Sequence, residues 1–299
     1  MSQPLLIFLN EVAGGRKLLE AAREKAADAS YVVVVAPQNQ PSVGQLFAPE
    51  EKAEAARARV DVTLALLNEF GIDAIGEVLD PEYDLALGDA IRSHRPAEVL
   101  LSCTYDFRFG LTRRDLLEWA EITYGNVTTI THIPVRIEDD SISLNVTHTL
   151  VVANRTLPSD DLLGRLVERS EERPHRYTII APAYDGVSEA TVARNLAGVI
   201  AKLYEADIDA TGQPMSPDAF DAVKNAIEHY RVDEILISTL SGEESQWLQD
   251  DLVGRVREIT DKPVVHHEAG RPPEAVAAVV AEGEVTETAE DSTVESNEA

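Results

Sequence analysis

The sequence has one cysteine, few aromatic residues and no long apolar run. Cys103 is the single cysteine among 299 residues, so no disulfide can form within the chain. No stretch approaches the length of a membrane-spanning helix, and the first apolar run is too short for a signal peptide and follows no basic residues. We therefore expect a cytoplasmic protein that does not contact a membrane.

Positive charge is also scarce. The chain carries 26 Lys and Arg against 53 Asp and Glu, a net charge of -27 at pH 7. The excess of acidic over basic side chains is the same in both parts of the chain: residues 1–140 hold 13 basic and 23 acidic side chains, and residues 141–270 hold 12 basic and 22 acidic ones. Without a broad basic face, the chain is not expected to bind a nucleic acid or an anionic membrane.

The chain contains an internal duplication. Residues 71–102 align with residues 207–238 at a constant offset of 136. Upstream, the runs LLIFLN and YVVVVAP match TLVVAN and YTIIAP. We expect one domain over residues 1–140, here called the first repeat, and another over 141–270, the second repeat. Residues 271–299 are rich in Glu, Thr and Ser without an aromatic residue, and we expect a disordered acidic tail.

Each repeat alternates short apolar runs with amphipathic stretches. Buried strands such as YVVVVA are followed by helical periodicity, as in residues 49–70, where Pro49 and acidic residues begin the helix. Alternating strands and helices favour parallel pairing through right-handed crossovers. The predicted fold is α/β, with two tandem doubly wound parallel sheets of five strands. Such sheets bind ligands beyond the carboxyl ends of their strands.

This element order resembles the universal stress protein family in its tandem, two-domain form. The resemblance covers about residues 4–136 and 148–269, and GQPMSPDAFDAVKNAIEHYRVDEILIS with the later DKPVVHH carries it most strongly. It implies an adenine nucleotide hydrolase-like fold and nucleotide binding in some members. It also implies pairing through the last strand, either between the two domains of one chain or in a homodimer.

Nucleotide-binding members of that family carry a loop of the form G-x2-G-x9-G-S/T after the fourth strand. In this chain Ser245 stands at the second glycine position, the third glycine is one place early at Gly254, and Arg255 follows it. Acidic residues at 243 and 244 would repel a triphosphate. The resemblance implies an adenine nucleotide such as ATP at a degenerate site. Its candidate binding residues are Asn154, Ser238, Thr239, Ser241, Gly242, Ser245, Gly254 and Arg255.

The corresponding loop of the first repeat, residues 103–115, has a different character. It combines Arg108, Arg113 and Arg114 with Tyr105, Phe107 and Phe109, the densest basic and aromatic cluster of the chain. The arginines could hold an anion. Alternatively, the aromatic rings cover the sheet and the arginines pair with Asp106, Asp115 or Glu118.

No catalytic motif and no metal-ligand spacing is present in the sequence. His266 and His267 are adjacent on a predicted strand and therefore point to opposite faces. The favoured hypothesis is a non-catalytic stress-response or regulatory protein with a degenerate adenine nucleotide site. The alternatives are an ATP-binding protein with slow hydrolysis and a scaffold for an unknown protein partner.

Overall fold

The computed structural model describes residues 2–10, 13–38, 49–103, 107–110, 113–135, 145–184, 186–215, 218–241 and 245–270, with the backbone alone for 49–52. The predicted acidic tail and Gly242 lie outside the described residues.

In chain order, the first repeat contains β1 (Leu5–Leu9), β2 (Ala13–Gly14), α1 (Arg16–Ala26), β3 (Val32–Pro37), α2 (Pro49–Glu69), β4 (Ala74–Leu79), α3 (Tyr83–His94), β5 (Glu98–Cys103), β6 (Arg108–Phe109), β7 (Arg114–Asp115), α4 (Leu116–Tyr124) and β8 (Thr129–Pro134). The second contains β9 (Thr147–Val152), α5 (Asp160–Glu172), β10 (His175–Pro182), α6 (Glu189–Glu205), β11 (Asp209–Met215), α7 (Ala219–His229), β12 (Glu234–Leu240), α8 (Gln246–Gln249), α9 (Leu252–Ile259) and β13 (Val264–Ala269).

Both repeats form the predicted doubly wound sheet. The first sheet has the order β4-β3-β1-β5-β8, and the second has β13-β12-β9-β10-β11, with all five strands parallel in each. The prediction of two five-stranded α/β sheets is therefore confirmed. The structure adds one feature to it, because β2 of the first repeat pairs antiparallel with β11 and extends the second sheet.

The central strands of each sheet are buried on both faces, as the apolar runs predict. All five residues of β1 and all six of β3 are buried, and alternate residues face two different cores. In the second repeat, β9 divides its side chains in the same way between a core with α5 and α6 and another with α7 and α9. Cys103 is buried at the end of β5.

One of the hydrophobic cores contains residues of both repeats. Helix α2 packs against α6, and Leu19, Val62 and Leu66 of the first repeat are buried within the core of the second. At the edge of this contact, β2 pairs with β11, and the backbone N–H of Arg16 donates to Asp209 Oδ1 at 2.8 Å. The repeats are therefore joined by packed helices and a continuous sheet.

The pairing of last strands implied by the family resemblance does not occur between the two repeats. Among the described residues, β8 has only β5 as a strand neighbour and β13 has only β12. Both lie at sheet edges away from the α2–α6 contact. The physical reason is that α2 and α6 carry apolar residues on the face away from their own sheet, and each helix covers the other.

Within the described ranges, no helix has the length and apolar character needed to cross a membrane.

The β2–β11 junction generates a stability prediction. Gly14 has φ +93°, and a Cβ there would lie 3.3 Å from the Ala210 carbonyl oxygen. We expect Gly14→Ala to destabilise the protein by about 1–3 kcal/mol, because it forces a side chain into a left-handed backbone at a crowded position. Thermal unfolding followed by circular dichroism measures the effect.

Gly164→Ala is the matched control. Gly164 lies in α5, and nothing lies within 4 Å of a Cβ placed there. This substitution should stabilise the helix by about 0.5–1 kcal/mol. Equal melting temperatures for the two variants would contradict the role assigned to Gly14.

Candidate functional site

A cavity opens at the carboxyl end of the second sheet. Strands β9 and β12 are neighbours, and the chain leaves them towards opposite sides, so their ends form the crevice where doubly wound folds bind ligands. The cavity has a volume of about 370 Å³. Its lining consists of Asn154, Arg155, Ala183, Tyr184, Asp218, Ala219, Phe220, Leu240, Ser245, Gln246, Trp247, Asp250, Leu252 and Arg255.

Two arginines in this lining are each held against an aromatic ring. The guanidinium carbon of Arg255 lies 4.0 Å from the centre of the Phe220 ring, and that of Arg155 lies 5.3 Å from the centre of the Tyr184 ring. Neither guanidinium has a carboxylate within ion-pair distance among the described residues. Stacking covers one face of each guanidinium and leaves its N–H edge available for an anion. Burial raises the pKa of Tyr184, and Arg155 opposes that shift.

The two helices that begin at the cavity are capped by aspartates. The Asp218 carboxylate accepts the backbone N–H of Asp221 at 2.9 Å and begins α7, and the Asp251 carboxylate accepts that of Gly254 at 3.2 Å and begins α9. A Cβ at position 254 would lie 2.3 Å from Asp251 Oδ2. Gly254 thus makes room for a carboxylate of the chain itself.

Three of the predicted binding residues line the cavity. Asn154 follows β9, Ser245 precedes α8, and Arg255 lies in the first turn of α9. Asn154 Oδ1 accepts the backbone N–H of Arg155 at 2.5 Å, a bond that fixes the turn after β9. Arg255 stands where the family pattern places a hydroxyl, and its side chain extends to the Phe220 ring of α7.

The other described candidates lie outside the cavity lining. Thr239 bonds His266 Nε2 at 2.8 Å across β12 and β13. Ser238 is fully buried, its hydroxyl has no hydrogen-bond partner, and its neighbour in register is His267, whose Nε2 also has none. Ser241 is exposed and donates its backbone N–H to Ala269 at 3.3 Å.

Several residues that line the cavity are not among the binding residues predicted from the sequence. Arg155, Tyr184 and Phe220 come from three different loops and helix starts, and no spacing within one segment connects them. Their position in the chain could have identified them, since each follows the end of a strand or begins a helix at the carboxyl edge of the sheet. Trp247 contacts the core with α7 and α9 and also lines the cavity.

The arginine cluster of the first repeat has a structural arrangement. Phe107 and Phe109 are buried in the core, Arg108 pairs with Asp115, and Arg114 pairs with Asp84 at 2.8 Å while covering the Phe109 ring. These contacts agree with the alternative in which the rings cover the sheet. Tyr105 and Asp106 lie outside the described residues.

At the end of β1, the first-repeat counterpart of Asn154 is Asn10. It is fully buried, and neither of its amide atoms has a hydrogen-bond partner among the described residues. The segments adjoining these strand ends, 11–12, 39–48 and 104–106, lie outside the described residues. The candidate site is therefore that of the second repeat.

The chain is similar in structure to several solved proteins. No family model matches the chain, and no curated protein matches it. Among solved structures, a universal stress protein from Archaeoglobus fulgidus is similar with a TM-score of 0.34 and 14% identity, over 90% of this chain and 97% of that chain. The NadR protein in complex with NAD and AMP-PNP has a TM-score of 0.28 and 13% identity, over 96% and 98%.

The largest histidine pKa shift lies away from the cavity, at the amino end of the second sheet. Burial lowers the pKa of His148 to about 4, with Arg176 acting in the same direction. His148 Nδ1 donates to the Arg231 carbonyl at 2.9 Å, and Nε2 accepts from the Thr178 hydroxyl at 2.8 Å. Both bonds fit the neutral ring. Among the described residues, no group of three or more His, Cys, Asp or Glu side chains could hold a metal ion.

His148 generates a pH prediction. Its pKa in the folded chain, about 4, is below the ordinary 6.5, so the folded state binds fewer protons between these values. The stability that the folded chain gains from the neutral His148 ring is complete above pH 6.5 and is lost as the pH falls towards 4. We expect His148→Gln, which can keep both hydrogen bonds, to flatten the fall in melting temperature between pH 7 and 5. Parallel curves for the two proteins would show that His148 does not carry this dependence.

Proposed function

We propose that the chain is a cytoplasmic, non-catalytic regulatory protein that binds an adenine nucleotide in the second-repeat cavity. The domain boundaries expected near residues 140 and 270 are part of this proposal. The single observation that carries it is a pair of arginines in one cavity, each held against an aromatic ring and neither paired with a carboxylate among the described residues, in a chain with net charge -27. In so acidic a protein, a cation without a carboxylate partner indicates a binding site for an anion.

The position of the cavity supports the same proposal. It lies where β9 and β12 diverge, the place at which doubly wound sheets bind nucleotides. Guanidinium groups bind phosphate through two parallel N–H bonds. The lining also contains three aromatic rings, those of Tyr184, Phe220 and Trp247, on which a base can stack.

The lining favours binding over hydrolysis. Among its described members there is no histidine, cysteine or lysine to act as a general base or nucleophile. One of its two carboxylates, Asp218, is engaged in capping α7. The hydroxyl of Ser245 has no basic partner within the lining. These features support a regulatory role, in which occupancy of the cavity is the signal.

A ligand-induced thermal shift tests this function. We expect adenine nucleotide at millimolar concentration to raise the melting temperature of the full chain by a few degrees, since a ligand that binds the folded state stabilises it by about 2.7 kcal/mol at 100 times its Kd. Arg255→Ala and Arg155→Ala should each remove most of that shift. Phosphate release from ATP should stay at the level of the buffer.

Arg257→Ala is the matched control. Arg257 lies in the same helix, α9, but its guanidinium donates to the Val264 carbonyl at 3.3 Å outside the cavity. This variant should keep the full ligand-induced shift. Absence of any shift with the unmodified chain, or an equal loss in all three variants, would rule out the assignment of the cavity.

We also propose that the chain forms a homodimer through β8. This strand lies at the edge of the first sheet, and two apolar side chains beside it, Ile122 and Val127, are 77% and 64% exposed. An edge strand flanked by exposed apolar groups is suited to pairing with a second copy.

A change of mass in solution tests this assembly. Val127→Glu should convert a dimer to a monomer in light scattering, because it places a carboxylate in the contact. Ile75→Glu, the same type of change at the opposite edge of the first sheet, should leave the dimer intact. A monomeric unmodified chain would exclude this assembly.

A further inference from the structure

We infer that the cavity selects a nucleoside monophosphate over a triphosphate, and that Asp251 is the residue that determines this selectivity. The inference rests on the proposed binding function and specifies its ligand. It follows from three features of the cavity: which groups occupy its helix N-termini, how its charges balance, and which ring is available for stacking.

The helix N-termini at the cavity are already occupied. A helix N-terminus ordinarily binds phosphate through its free N–H groups. In this chain Asp218 caps α7 and Asp251 caps α9, so at both helices a carboxylate stands where a phosphate would accept these bonds. Asp251 adopts φ 49°, and Gly254 leaves room for its carboxylate. The glycine that the family pattern assigns to phosphate therefore serves the Asp251 cap.

The two guanidinium groups of the cavity match one phosphate group. The described lining holds two cations, Arg155 and Arg255, neither of which has a carboxylate partner among the described residues, and two carboxylates, Asp218, which caps α7, and Asp250. A phosphate monoester carries about -1.5 to -2 at neutral pH, which two guanidinium groups neutralise. A longer polyphosphate would bring further negative charge towards Asp250 of the lining and the adjoining Asp251, which caps α9, without a third cation in the described lining. The repulsion disfavours the triphosphate.

The remaining aromatic ring is placed for a base. Tyr184 and Phe220 are each covered by an arginine, whereas the half-buried Trp247 has no stacking or cation contact among the described residues. An indole face of this kind stacks well on a purine or pyrimidine. We therefore place the phosphate at the two arginines and the base at Trp247.

Calorimetric titration of the full chain with AMP, ADP, ATP and adenosine, at constant ionic strength without divalent cations, tests the inference. We expect AMP to bind about tenfold more tightly than ATP, in line with a charge mismatch across a partly desolvated cavity. Adenosine should bind more weakly than AMP. AMP should quench tryptophan fluorescence in Trp119→Phe but not in Trp247→Phe.

Asp251→Asn tests whether the charge of Asp251 determines the preference for AMP over ATP. Asparagine tolerates the left-handed backbone and caps helices well, so the fold is kept while one negative charge is removed. We expect the preference for AMP over ATP to fall at least about threefold, chiefly through tighter ATP binding. Asp261→Asn removes the same charge beyond the other end of α9 and should leave the preference unchanged.

The results distinguish a failure of the proposed selectivity from a failure of the proposed nucleotide binding. Binding of ATP as tight as that of AMP by the unmodified chain would overturn the selectivity and leave nucleotide binding intact. An unchanged AMP-to-ATP ratio in Asp251→Asn would overturn the role of Asp251. If none of the four ligands binds, the proposed function itself fails.

Discussion

The contact between α2 and α6 is the interaction on which the whole molecule depends. It places Val62 and Leu66 of the first repeat inside the core of the second, and β2 continues the second sheet at β11 beside them. Helix α6 alone would expose apolar surface on the face away from its sheet. Since neither repeat buries its second helix by itself, the two repeats stabilise each other, and the last strands remain at the outer edges.

The same contact explains why the two repeats have diverged at their strand ends. After β1, the backbone runs into β2 and pairs with the other repeat, so this segment serves the architecture. After β9, the equivalent segment forms a tight turn, and Asn154 Oδ1 fixes the backbone so that Arg155 lies over the Tyr184 ring. Duplication supplied two equivalent segments. One connects the repeats, and the other contributes a cation to the cavity.

The sequence could predict the sheets because the information for them is local. Runs such as LLIFLN and YVVVVAP read as buried strands without any knowledge of their neighbours, and the offset of 136 reveals the duplication. The position of the cavity followed from the parallel topology. The pairing of β2 with β11 and the contact of Arg255 with Phe220 could not be predicted in this way, since each joins residues that are distant in sequence.

Gly254 shows why position alone does not define a phosphate loop. A glycine near a helix start can bring backbone N–H groups close to a ligand, or it can make room for a side chain of the protein itself. In this structure the second case holds, because Asp251 occupies the space that a Cβ would fill. In the proposed site, an anion would therefore be bound by guanidinium side chains held against aromatic rings and not by the backbone N–H groups, which the carboxylate satisfies. The described lining holds two such cations, and that number limits how much negative charge they can neutralise.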